Sequence, residues 1–235
     1  MPPFIRTLLQ TVVGLIVIGA IWFAAALVID NALSLPGPLA VFTKIADLVK
    51  SAEYMRHASE SLTALLFGFV PAVAAGLLIG LVARAGAMRW IAGPITTVIA
   101  AAPILALYPL FVAWGGLSIA PKATLIFIAA AFPIMNAVMM HASRPPAAPG
   151  NEAPPPRPHG TAISVLSGLR LGVILAVAAL ILSEFSGASR GAAYLIMSSS
   201  AMLDTTTMLA AFLLIALPTV FVVTILQAIE EQVAG

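Results

Sequence analysis

From Leu8 to Ile29 the chain runs through 22 residues without one aspartate, glutamate, lysine or arginine. A helix needs about 20 mostly apolar residues to cross the hydrocarbon core of a bilayer. Helix is the state such a run must take there, because lipid offers no hydrogen bonds to an open backbone. The run passes 20 residues with no small-residue cleavage site, so it is expected to stay as an anchor, not to be removed as a secretion signal. Comparable apolar runs recur to the far end of the sequence. They explain why 61% of the 235 residues are hydrophobic, 9% are charged and the mean hydropathy is +1.09; soluble domains carry about 25% charged residues. The fold class predicted is all-α, a polytopic membrane helical bundle of about five or six spans. It forms a single transmembrane domain over residues 1–235, with no separate soluble domain.

The first span is followed by Leu35-Pro36-Gly37-Pro38, a stiff turn, and then by residues 39–50. There Leu39, Phe42, Ile45, Ala46 and Val49 recur at helical spacing, apart from Lys44, Asp47 and Lys50. That pattern predicts an amphipathic helix near 38–50, too short to span and suited to a membrane surface. A second span is expected from Ser61 to Val82, carrying Gly68, Gly76 and Gly80. The glycines fit close helix approach, or reflect only the abundance of glycine in membrane helices. The third segment, Trp90 to Trp114, contains Pro94, Pro103 and Pro109. Each proline removes a backbone donor, and broken backbone survives at membrane depth only under protein or beside a water-filled cavity. This segment is therefore expected at the bundle centre. A fourth span covers Ala123 to Met140 with Pro133 inside it, and a fifth covers Ile163 to Phe185. Gly187–Leu203 is expected to form a short interfacial or re-entrant helix, and Asp204 to cap a sixth span from Met208 to Ile229.

Several kinds of chemistry are excluded. A net charge of +2 with scattered cations gives no nucleic-acid surface. With no cysteine there is no disulfide, thiolate metal site or cysteine nucleophile. His57, His141 and His159 lie far apart and predict no metal site, and no catalytic constellation is visible, so the chain is not expected to be an enzyme. It also lacks the phosphate loop that would let it bind ATP itself. Arg170 and Glu184 are the ionisable residues nearest membrane depth in the fifth span. A charge at mid-bilayer costs about 2.5–3.5 kcal/mol and so is usually paired or beside water. The two are separated by about 21 Å along a helix and cannot meet. Arg170 is expected at an interface, and Glu184 either at an interface or facing a translocation path. Met135, Met139, Met140, Trp22 and Trp90 suit packing or interfacial roles.

The order of motifs resembles the permease subunit of binding-protein-dependent ABC importers, in the nitrate, taurine, alkanesulfonate and thiamine-precursor branch. The likeness begins at Leu35-Pro36-Gly37-Pro38 and Val41 and continues through His57, Ser61-Leu62, Gly68-Phe69, Ala72, Gly76 and Gly80. Pro94, Pro103 and Pro109-Leu110-Phe111 with Trp114 and Gly115 look like that branch's proline-rich signature. Phe132-Pro133-Ile134 follows, with Asn136 one residue earlier than the family's asparagine, and then Gly168-Leu169-Arg170, Glu184, Tyr194-Leu195-Ile196 and Asp204-Thr205. The resemblance implies a transmembrane subunit of an importer in a bacterial inner membrane. Its partners would be a second permease subunit, cytoplasmic ATPases that bind the ATP, and an extracytoplasmic binding protein. It also suggests Pro103, Pro109, Trp114, Asn136 and Glu184 as residues along the translocation pathway.

One departure stands out. Where the family carries an EAA-type coupling helix, this chain has Ser143–His159, SRPPAAPGNEAPPPRPH, with seven of its 18 prolines. The stretch is shorter than expected by about three helical turns, and Glu152-Ala153 is at best a remnant of the motif. No helix propagates through it. Either the chain is the degenerate half of a heteromeric permease, or a shortened, extended loop still faces the ATPase through Arg144, Glu152 and Arg157. A further alternative is a non-transporting membrane scaffold derived from such a permease. Basic residues divide evenly between the two sides, and only the length of the loop holding Lys44, Lys50 and Arg56 favours a cytoplasmic N-terminus and a cytoplasmic 143–159 loop.

Overall fold

A computed structural model describes residues 2–83, 94, 104–140 and 159–234. Arg84, Arg89, Trp90, Pro103, His141 and the 143–158 stretch with Arg144, Glu152 and Arg157 lie outside the described residues. The elements are α1 (Pro3–Ile29), α2 (Pro38–Lys50), α3 (Ala52–Ala83), a 3-10 turn (Ile104–Leu107), α4 (Tyr108–Gly115), α5 (Ile119–Met140), α6 (Gly160–Phe185), α7 (Ala192–Ala201) and α8 (Thr205–Ala234). Five of them, α1, α3, α5, α6 and α8, are long and apolar enough to cross a membrane. The chain is a polytopic helical membrane protein.

The helix limits follow local chemistry. Pro3 and Pro38 stand in the first turns of α1 and α2, where a missing N–H costs nothing. Asp30 closes α1 in the left-handed conformation, and its N–H reaches Ala26 O. Asp204 caps α8 by accepting from the Thr207 N–H at 3.0 Å and from the Thr207 hydroxyl at 2.5 Å. These bonds hold its carboxyl below the usual aspartate range. α3 begins nine residues before the expected Ser61, because its polar opening turns have partners at the end of the bundle (below) and so remain helical.

α5 is the central helix, enclosed between α3 and α6. Gly68, Gly76 and Gly80 press against it so closely that a Cβ on Gly76 would lie 2.9 Å from Ala131 O and 2.9 Å from Ile134 Cβ. Ala64 and Ala72 complete this fully buried stripe, so the close-approach reading of the glycines is the right one. On the other side Gly168 faces Ala137 and Ile134, and Gly172 faces the Ile134 side chain. The pairings make α5 parallel to α3 and antiparallel to α6. Because α3 and α5 are parallel, their first turns lie at the same end of the bundle. Arg170 pairs with Glu230 at 3.4 Å, bringing α8 onto α6. Thr7 donates to Glu231, and Thr224 meets Thr11 at 3.4 Å, so α1 lies antiparallel on α8.

One expectation needs correction. Among the described residues the central place belongs to α5, and residues 104–114 of the proline-broken third segment, which was expected there, lie on the flank. There Tyr108 is buried while Pro109 and Leu110 are exposed and Trp114 is 74% exposed. α5 takes the centre because both neighbours present glycine and alanine to it, whereas residues 104–114 offer larger side chains such as Tyr108, Phe111 and Trp114. On α2, Leu39, Phe42, Ala46 and Val49 of the face named from the sequence are open and Ile45 is half-buried, while Val41 on the other side is buried against the protein.

Candidate functional site

The densest polar construction lies at the end of the bundle where α3 begins and α6 stops. Helices leave their first N–H groups without internal partners, and α7 starts with no side-chain cap of its own. Three side chains from other helices fill that need in sequence order. The Gly191 N–H donates to His57 Nδ1 at 3.1 Å, the Ala192 N–H to Ser61 Oγ at 2.7 Å, and the Ala193 N–H to Glu184 Oε2 at 2.8 Å. Ser61 in turn donates its hydroxyl to Glu184 Oε1 at 2.6 Å. Glu184, 1% exposed, thus has both oxygens occupied and sits against the positive end of α7. A buried carboxylate is tolerable only with such partners.

Local geometry enforces the arrangement. His57 and Ser61 stand one turn apart on α3, so both face the same helix end. Gly191 has φ +143, and a Cβ there would collide with the Glu184 carboxyl carbon and oxygens. Only glycine combines that backbone with that clearance. Tyr194 stacks on His57, with ring centroids 5.7 Å apart. Beside this junction Lys122, 4% exposed, reaches Glu60 Oε1 at 2.8 Å and Arg190 O at 3.1 Å, tying α5 to α3 and to the loop before α7.

Of the residues singled out from the sequence, Glu184 is at this junction. Pro109 occupies the first turn of α4 and Trp114 its exposed side, while Asn136 is half-buried in α5; these three do not gather with Glu184. Ser61, Lys122, Glu60 and Gly191 were not expected to act together. The one local signal was the four-residue spacing of His57 and Ser61, since Glu184 is 123 residues from Ser61. Among the described residues no three His, Asp or Glu side chains assemble as a metal would require.

Comparison with known proteins gives a consistent picture. No protein-family model matches the chain. Over 213 residues it is 27% identical to the taurine transport system permease protein TauC of Escherichia coli, covering 83% of this chain and 78% of that protein. Over 227 residues it is 26% identical to SsuC of Bacillus subtilis, named as an aliphatic sulfonates transport permease, covering 85% of this chain and 77% of that one. These relatives fall in the branch to which the order of motifs pointed, and both are permeases, not enzymes.

Proposed function

We propose that this chain is the transmembrane subunit of an ABC importer for a small sulfonate-type solute, working by alternating access in a bacterial inner membrane. The observation that carries the proposal is the similarity, over more than four-fifths of the chain, to taurine and aliphatic sulfonate permeases, joined to a bundle with five membrane-length helices. In this reading the N-terminus and the 143–159 loop are cytoplasmic, ATP is bound and hydrolysed by separate ATPase subunits, and a binding protein delivers solute at the opposite face. A second permease subunit covers the exposed flank of α4, so that Pro103, Pro109, Trp114 and Asn136 border the passage. Glu184 holds α7 in position at its outer end. The proline-rich loop favours the degenerate half of a heteromeric pair, because a chain with this proline density cannot present a helix to an ATPase.

The test is purification of the tagged chain from its native membrane, followed by solute-dependent ATP hydrolysis in nanodiscs. The expected result is a complex with ATPases and a second permease, whose hydrolysis rises with loaded binding protein. Recovery of the chain with no ATPase would instead favour the non-transporting scaffold. Replacing Pro145–Pro158 with a flexible linker separates the two forms of the loop hypothesis. Unchanged coupling fits the degenerate half, and collapsed coupling means that the loop, with Arg144, Glu152 and Arg157, docks on the ATPase.

A further inference from the structure

At the same end of the bundle, next to the α7 junction, a pocket of about 290 Å³ is lined by Glu53, Arg56, His57, Ser189, Arg190 and Tyr194. That volume is at the small end of ligand pockets, about 300–1,000 Å³. Arg56 and Arg190 bring guanidinium groups from two separate elements, the opening of α3 and the loop before α7. Among the described residues neither makes an ion pair, even though Glu53 lines the same pocket. The balance of fixed charge is two guanidinium groups against one carboxylate. His57 accepts from Gly191 at Nδ1, so the proton of its ring is on Nε2, making it one more donor in the lining. Ser189 and Tyr194 add hydroxyl groups. Guanidinium forks match the paired oxygens of tetrahedral anions.

We propose that this pocket is an oxyanion site, taking one sulfonate- or phosphate-type group between Arg56 and Arg190 at the end of the bundle. The two arginines hold the anion, His57 and the hydroxyls orient it, and Glu53 limits its affinity. The backbone under the pocket is rigid because Lys122 holds Arg190 O and His57 holds the Gly191 N–H. The shared chemistry admits two sources, a free solute or the phosphate of a lipid headgroup at the membrane boundary. The site stands on this geometry alone, and its test requires neither partner subunits nor transport.

The full chain in phosphatidylcholine nanodiscs is titrated calorimetrically with sodium methanesulfonate at low salt. In parallel, native mass spectrometry compares retained phosphatidylglycerol with phosphatidylcholine. The expected result is saturable binding that R56Q/R190Q weakens at least tenfold, that R56K/R190K weakens less, and that Glu53→Gln tightens several-fold. Lys44→Gln, a cation outside the pocket, leaves it within twofold. Both arginines are exposed, so these variants keep the parent's unfolding midpoint, which is measured alongside. Methanesulfonate binding with this pattern puts a free anion in the site, and selective phosphatidylglycerol retention lost in R56Q/R190Q puts a lipid phosphate there. Absence of both, or binding that R56Q/R190Q leaves intact, overturns the proposal.

Discussion

α3 is joined to the rest of the bundle in two places, by opposite means. Along its middle, Gly68, Gly76 and Gly80 have no side chains, and α5 moves in until backbone touches side chain. At its start, His57, Ser61 and Glu60 reach outwards to the open end of α7 and to Lys122. The seam is held by dispersion between close surfaces, which is what remains when lipid removes the hydrophobic driving force between helices. The junction is held by hydrogen bonds whose partners would be very costly to leave unmatched in a buried site. A packing seam tolerates no addition, and a polar junction tolerates no subtraction.

That contrast is breakable. The largest effect is expected from Glu184→Ala, which strands the Ser61 hydroxyl and the Ala193 N–H; at about 1–3 kcal/mol for each unmatched buried group, destabilisation of about 2–6 kcal/mol is expected, measured by SDS-titrated unfolding in detergent. Glu184→Gln keeps an acceptor and should cost clearly less, and equal losses would contradict the junction. At the seam, Gly76→Val should cost about 1–3 kcal/mol by overpacking, since the atoms it meets include the Ala131 carbonyl, which cannot rotate away. A neutral result would mean that α3 and α5 are less tightly apposed. A double-mutant cycle on Lys122→Ala and Glu60→Ala should give a coupling of about 1–2 kcal/mol, and zero would make that pair ornamental. Smallest is Asp204→Ala, expected to cost about 0.5–1 kcal/mol for a lost cap. Because Thr207 holds the Asp204 carboxyl low, this contribution is complete above the ordinary aspartate value of 3.8. It fades as pH falls through the lowered one. The parent and the variant should therefore converge in stability at low pH.

Much of the architecture was legible because membrane helices announce themselves locally. Apolar length marks α1, α3, α5, α6 and α8, Asp204-Thr205 marks the start of α8, and the Pro36–Pro38 turn marks the start of α2. What the sequence left open was the side that each element turns to the protein. The apolar stripe of α2 was visible, but whether it faced protein or surroundings depended on what Val41 found on the other side. The prolines of the third segment signalled a break without saying that α5 would take the centre.

The sequence by itself determined that five long helices are apolar enough to cross a membrane, because that follows from the properties of consecutive residues. Only the tertiary structure decided that Glu184 belongs to the start of α7, with Ser61 and His57, and that Arg56 and Arg190 line one pocket. Hydrogen bonds and fixed charges act over a few ångströms in space, and Ser61 stands 123 positions from Glu184 and His57 134 from Gly191 in the chain.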